Sequence, residues 1–287
     1  MASWSRGMKD KDNRMAEIKR GFIDVAEGQI HYRTAGVDAK DRVPLVMIHG
    51  EPASSYVLAP LISRLGDGRR VIAPDTLGTG DSSPLPWPKV EVTDLARVAA
   101  AAITALGVDR FDLYGNYTGG HIATELALAH PGRVRRLVLD DSGLIPEADV
   151  PDLVANYVPD ISIDSHGAHM SRLFAWVRDQ YIYFPWYRRD AQHWRNMDMP
   201  APEVLFAKTM EVLKGKNSMP IIFAAVFRHD LRTALTRLRV PSLTTDEELA
   251  LVPGAKPLGL KFREAVSAPP GYVDDKAQRI AAFLDAP

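Results

Sequence analysis

The sequence predicts an α/β protein in which a mostly parallel, twisted sheet is flanked by helices and a helical lid is inserted in the chain. Three observations predict it. Short apolar segments alternate with helical stretches through the first half, and such alternation places a parallel sheet between two helical layers. A glycine-flanked turn, Gly115-Asn116-Tyr117-Thr118-Gly119-Gly120, follows one apolar segment and opens a helix. The alternation then stops between residues 143 and 239 and resumes near the C-terminus.

Taken in order, residues 1–20 are charged and aperiodic and read as an N-terminal arm. Phe22–Val25 and Gln29–Arg33, separated by Glu27-Gly28, read as a β-hairpin. Strands are expected over Val43–Ile48, Arg70–Pro74, Arg110–Tyr114 and Val134–Leu139. Helices are expected through Leu58–Leu65, Leu95–Leu106 and His121–Ala129. Residues 143–239 hold helical runs and aromatic clusters without a strand–helix pair, as a lid inserted after the sixth strand would. The core, residues 21–142 and 240–287, resumes at Val240–Thr244. It closes with an amphipathic helix, Asp274–Leu284, whose apolar positions are Ala277, Ile280, Ala281 and Leu284.

With 287 residues and 46% hydrophobic content the chain can bury a full core. A net charge of −1, from 35 basic and 36 acidic residues, argues against nucleic-acid binding. Cysteine is absent, which removes disulfides, thiolate nucleophiles and cysteine metal sites. No histidine spacing resembles a metal site, and no dinucleotide fingerprint follows the early strands. No cofactor is therefore expected, and a small-molecule substrate is the expected partner. No apolar run suits a signal peptide or a membrane span, which points to a soluble, cytoplasmic protein without membrane contact.

The turn at residues 115–120 has the shape of a nucleophile elbow, in which small residues let the chain turn sharply and lift one side chain above the sheet. Here that side chain is Tyr117. A phenol titrates near ~10, so it is scarcely ionised at neutral pH. It can donate a hydrogen bond as a general acid, act as a base if a positive neighbour depresses its pKa, or form an aromatic wall.

His49-Gly50-Glu51-Pro52, the run Arg70–Asp75 leading to Leu77–Ser82, the elbow, Val138–Ser142 and the Val240-Pro241 restart fall in one order at sensible spacing. Together they resemble the α/β-hydrolase fold, in the branch of haloalkane dehalogenases and epoxide hydrolases. The resemblance spans most of residues 22–287, with the lid matching only in position. It implies an oxyanion hole from the backbone N–H groups of Glu51 and Thr118. It implies an acid after the sixth strand, Asp141 with Asp140 beside it, or after the seventh, among Asp246, Glu247 and Glu248. Strand alternation sends Asp140 and Asp141 to opposite sides, and Asp141 is the preferred site residue. The loop before the last helix should carry a histidine, but it reads Ala265–Val273, and the last histidine is His229. Nucleophile and base both depart from the family pattern, so ordinary ester, epoxide or haloalkane hydrolysis does not follow from the resemblance.

Further candidates lie in the lid and near the elbow. His169, with His166 beside it, is a candidate replacement base. His49, His121, Trp176, Tyr181, Tyr183 and Trp186 are candidate substrate-binding residues, the lid tyrosines because epoxide hydrolases use such phenols to polarise an epoxide oxygen. Three readings stay open. The chain is an enzyme working by acid–base chemistry on a mid-sized carbonyl or epoxide compound, through hydrolysis, lyase, cyclisation or isomerisation steps. Alternatively it is a ligand-binding protein that has lost catalysis, or a true hydrolase using an Asp nucleophile, such as Asp141 or Asp75, or a lid base.

Overall fold

The computed structural model describes residues 15–287, apart from the side chains of Asp246 and Glu247. The expected arm therefore lies outside it over residues 1–14, and its last residues are not arm: the first strand, β1 (Lys19–Val25), begins within it. β1 forms the expected hairpin with β2 (Gly28–Ala35), Val25 standing opposite Gly28 across a tight turn. Four strands follow, β3 (Leu45–Ile48), β4 (Val71–Pro74), β5 (Phe111–Gly115) and β6 (Val134–Leu139). Near the end come β7 (Ser242–Thr244) and a two-residue edge strand, β8 (Lys256–Pro257), that the sequence pattern does not announce. The eight strands form one sheet in the order β1-β2-β4-β3-β5-β6-β7-β8. β1 and β2 pair antiparallel, as do β2 and β4, and every later pairing is parallel.

Every residue of β3, β4 and β5 is buried, as expected of parallel strands covered on both faces. Alternation sorts their side chains. Val46, Ile48, Leu113 and Leu137 pack against α2 (Val92–Ala105) and α3 (Thr118–Ala129). Leu45, Met47, Tyr114 and Val138 pack on the other face against α1 (Ala59–Leu65) and the C-terminal helix.

Between β6 and β7 run α4 (Val150–Asn156), α5 (Ala168–Asp179), α6 (Pro202–Lys214), α7 (Met219–Arg228) and α8 (Leu231–Arg237). The first of these helices close on their own core, with Leu153, Tyr157, Leu173, Trp176, Val177, Tyr181 and Phe223 in one cluster. Tyr157 sits at its centre, with ring centroids 5.0 Å from Phe223 and 5.2 Å from Phe227. α7 is two-faced: Phe223 and Phe227 join that cluster, while Ile222, Ala225 and Val226 join the sheet-side core. α8 packs on α3 and places Leu231 and Leu235 in the sheet-side core, so structurally it belongs with the sheet. A short α9 (Asp246–Leu249) follows β7, and α10 (Pro270–Asp285) closes the chain, starting one turn before the expected helix. Among the described residues no helix is long and apolar enough to cross a membrane.

Candidate active site

The elbow forms because its glycines leave no room for anything larger. A Cβ on Gly119 would stand 2.2 Å from the Ile48 carbonyl oxygen, and one on Gly115 would stand 2.3 Å from the Gly119 carbonyl oxygen. β5 thus runs straight into α3, which begins at Thr118, three residues before the helix expected from the sequence. Tyr117 takes the turn at φ 45° and ψ −124°, a conformation costly for a residue with a Cβ and common at functional turns. Its N–H donates to the Asp141 carbonyl at 2.7 Å.

The Tyr117 hydroxyl has a specific partner. Arg195 Nη2 donates to the phenol oxygen at 2.7 Å, while Arg195 Nη1 donates to the Gln180 carbonyl at 2.9 Å. Phe262 meets the phenol ring edge-on at 4.6 Å. Burial pushes the phenol up from its ordinary pKa; Arg195 works in the opposite direction and Asp141 reinforces the rise. Burial prevails, so Tyr117 is a protonated phenol. Arg195 has no acceptor to offer. The Tyr117 proton is therefore directed to some other group.

Asp140 and Asp141 part company. Asp140 is fully buried and accepts from Lys276 Nζ at 2.6 Å and from the Tyr114 hydroxyl at 2.5 Å. Lys276 also lies over the rings of Phe262 and Tyr272, 4.9 Å from each centroid. Asp141 takes φ 63° and lines the cavity described below. Glu248, in the acid position after β7, spends its carboxylate on Ser142 N–H and the Thr245 hydroxyl, bracing the segment that follows Asp141.

A cavity of about 280 Å³ lies between the carboxyl end of the sheet and the inserted helices. Tyr117, Thr118, Glu51, His121 and Asp141 line it from the sheet side, and Tyr181, Arg195 and Lys208 from the inserted segment. Phe262 and Glu264 line it from the chain leading into α10. One wall is aromatic, with Tyr157, Phe223 and Phe227. Lys208 Nζ donates to Glu264 Oε1 at 2.8 Å, to Oε2 at 3.1 Å and to the Tyr181 hydroxyl at 3.1 Å. Tyr181 in turn donates to Glu264 Oε2.

The Glu51 side chain turns into the polar cluster beneath: Oε2 accepts from Ala53 N–H at 3.0 Å, and burial raises the carboxyl pKa. His121 Nε2 is 3.0 Å from the Ser142 carbonyl, which can only accept, so that nitrogen carries the proton. Its Nδ1 then accepts from His229 Nδ1 at 3.0 Å, and His229 Nε2 lies 2.7 Å from Glu125 Oε1. Burial, reinforced by His229, holds His121 down to about 3.

A family model for the alpha/beta hydrolase fold matches residues 43–197. The chain belongs to the α/β-hydrolase-fold family. It is similar to haloalkane dehalogenase 2 of Mycobacterium tuberculosis, 31% identical over 135 residues that cover 47% of this chain and 46% of the relative. It is also similar to a 2-hydroxymuconate semialdehyde hydrolase of Pseudomonas putida, 42% identical over 110 residues covering 38% and 39% of the two chains. The matches thus span less than half the length of these curated relatives. Among solved structures, the enol-lactonase of Burkholderia xenovorans LB400 aligns with a TM-score of 0.69 at 20% identity, covering 93% of this chain and all of its own. An epoxide hydrolase aligns at 0.66 and 20% identity, covering 93% of this chain and 99% of its own. At such identity the structural likeness is one of fold.

In this α/β-hydrolase-fold chain, six of the residues expected from the sequence meet in the cavity: Tyr117, Thr118, Glu51, Asp141, His121 and Tyr181. Five others do not line it. His169 is held at the start of α5 by Asp164, which accepts from its backbone N–H at 2.9 Å, so the expected lid base stands apart from the cavity. Trp176 is 1% exposed inside the helical core. Trp186 Nε1 donates to the Tyr157 carbonyl at 2.7 Å, and Tyr183 pairs with Trp194 in an isolated bridge. His49 braces the strand ends, its Nε2 accepting from Thr76 N–H at 3.0 Å. Asp75, offered as an alternative nucleophile, is occupied by His31 at 2.8 Å and by Ser55 N–H at 2.8 Å.

Sequence reasoning missed Arg195, Lys208, Phe262 and Glu264. Lys208 left a signal, because it shares the buried stripe of α6 with Leu205, Thr209 and Val212, and a lysine inside an apolar stripe implies a buried partner. Arg195 left none, lying in an irregular polar stretch between α5 and α6.

Proposed function

We propose that this chain is an acid–base enzyme that interconverts keto and enol forms of a mid-sized carbonyl compound, with Tyr117 as the proton donor to the carbonyl oxygen. The observation that carries this reading is the Arg195–Tyr117 hydrogen bond at 2.7 Å. A guanidinium held against a phenol oxygen stabilises the phenolate left behind when the proton departs. The phenol is too weakly acidic to serve as a standing nucleophile, and the segment 265–273 offers no imidazole to activate it. Acyl-enzyme chemistry is thereby disfavoured, whereas proton transfer needs only a positioned acid and base.

Two further features support the reading. Thr118 is the first residue of α3, whose opening N–H groups lack intrahelical partners, and Glu51 lines the same cavity. Their backbone N–H groups are the donors that would share the developing oxyanion. The aromatic wall suits an apolar, ring-sized substituent beside the carbonyl. The relatives named for 2-hydroxymuconate semialdehyde and for an enol-lactone are named for carbonyl compounds of this character.

The test is proton exchange at the carbon next to the carbonyl, followed by NMR in D₂O with phenylacetone, 2-oxo-4-phenylbutanoate and 2-hydroxymuconate semialdehyde. Exchange is expected with at least one of them, reduced about 10²–10⁴-fold in Tyr117→Phe at unchanged thermal stability. Binding without exchange by the wild type would favour a ligand-binding protein, the reading that loss of both serine and histidine also fits. Cleavage products instead of exchange would establish a hydrolase.

A further inference from the structure

Resting on that acid–base reading, we infer that Glu264 is the general base of the site, taking the proton from the carbon next to the carbonyl while Tyr117 protonates the oxygen.

Glu264 is 8% exposed and lines the cavity. Lys208, itself 6% exposed, pairs with both Glu264 oxygens at 2.8 and 3.1 Å. The arrangement leaves acceptor capacity on one side only. Oε2 receives both Lys208 and the Tyr181 hydroxyl, whereas among the described residues Oε1 receives Lys208 alone. Each carboxylate oxygen has two acceptor positions. One position on Oε1 is therefore still open, on a side chain fixed by three hydrogen bonds.

The placement suits the division of labour. Tyr117 and Asp141 are joined through the main chain at the elbow, Tyr117 N–H donating to the Asp141 carbonyl at 2.7 Å. They form one side of the cavity. Glu264 approaches from the segment before α10 and is tied to α6 of the inserted helices through Lys208. An acid and a base on different walls can address two different atoms of one substrate. The Glu264 charge is also among the influences that oppose ionisation of Tyr117, which places the two groups within electrostatic reach of each other.

The step balances without a co-reactant. The C–H bond breaks and its proton goes to Glu264 Oε1. The electron pair forms the C=C bond of the enol, and the carbonyl oxygen takes the Tyr117 proton. The enzyme is left with a protonated Glu264 and a phenolate beside Arg195, and proton exchange with water restores both. The substrate class is an enolisable ketone or aldehyde bearing a C–H bond next to the carbonyl.

The experiment measures exchange of phenylacetone, 2-oxo-4-phenylbutanoate and 2-hydroxymuconate semialdehyde in D₂O by the wild type, Glu264→Gln, Glu264→Gly, Tyr117→Phe and Asp141→Asn. Glu264→Gln keeps the side-chain shape and is expected to fold while losing about 10²–10⁴-fold in exchange rate. Glu264→Gly is expected to recover part of its lost rate on addition of formate, a rescue that a purely structural role would not show. Glu264→Asp keeps the charge with a shorter reach and replaces the glutamine variant in the comparison if that one fails to fold; an intermediate loss is expected. Exchange by Glu264→Gln at the wild-type rate, or a loss that formate does not restore in Glu264→Gly, would overturn the assignment. If Tyr117→Phe is still silent in that case, the acid at Tyr117 stands, and an equal loss in Asp141→Asn would move the base there. No exchange by the wild type would remove the acid–base reading together with this inference.

Discussion

The charged groups beneath the carboxyl end of the sheet and those in the cavity above it are wired differently. Below, Asp140 is paired with Lys276 and Tyr114 through Oδ2, its buried Oδ1 having no hydrogen-bond partner among the described residues, and Asp75 is held by His31 and Ser55. Glu248 is held between Ser142 and Thr245, and none of these three carboxylates lines the cavity. Above, Tyr117 receives a hydrogen bond from Arg195 and keeps a proton to give, and Glu264 keeps an acceptor position. The difference separates polar residues that brace the fold from those that face the cavity. Of Asp140 and Asp141, adjacent in sequence, only Asp141 lines the cavity.

The largest effect should come from breaking a buried ion pair. Lys276→Met leaves the Asp140 carboxylate buried beside Tyr114 and should cost about 3–5 kcal/mol in urea unfolding. Adding Asp140→Asn to it should return a large part of that loss, because the buried charge is then gone. A single substitution that costs less than about 1 kcal/mol would mean that this pair is not the brace described.

A smaller effect concerns His121, between the two regions. Its folded pKa, about 3, lies below the ordinary value of 6.5. The folded protein thus binds this proton more weakly than the unfolded chain does. The resulting stability is fully present above pH 6.5 and is lost as pH falls toward 3, by a few kcal/mol at most. His121→Gln, which has nothing to titrate, should flatten the decline in unfolding free energy between pH 7 and 4. An unchanged slope would assign the acid sensitivity to other groups.

How much of this was legible in the sequence follows from the range of the interactions. The hairpin, the strands β3 to β6 and the elbow were legible because they rest on local periodicity and on glycines with a local task. The start of α3 was misplaced because Gly119 and Gly120 read as turn residues, whereas close packing on β3 and on Ser142 demands glycine inside the helix. Asp141 was expected on the cavity side from strand alternation, but β6 ends at Leu139 and Asp141 is turned there by a backbone φ of 63°. His169, expected as a candidate base, stands apart from the cavity because its partner is local: Asp164, five residues earlier, holds it at the start of α5. The pairs that define the cavity are long-range, with 78 positions between Arg195 and Tyr117 and 56 between Lys208 and Glu264. No periodic pattern encodes such a separation. Lys208 and Lys276 were the readable exceptions, each a lysine within the buried stripe of an amphipathic helix.

The central claim is that the elbow carries a protonated phenol that donates. The most direct measurement is an NMR pH titration of protein labelled with ¹³Cζ-tyrosine, the Tyr117 signal being assigned with Tyr117→Phe. The account predicts that this signal stays at its protonated position through about pH 10, where an ordinary tyrosine is half ionised. A Tyr117 signal that titrates below that point would make the residue a ready phenolate, a base or nucleophile, and would contradict the account.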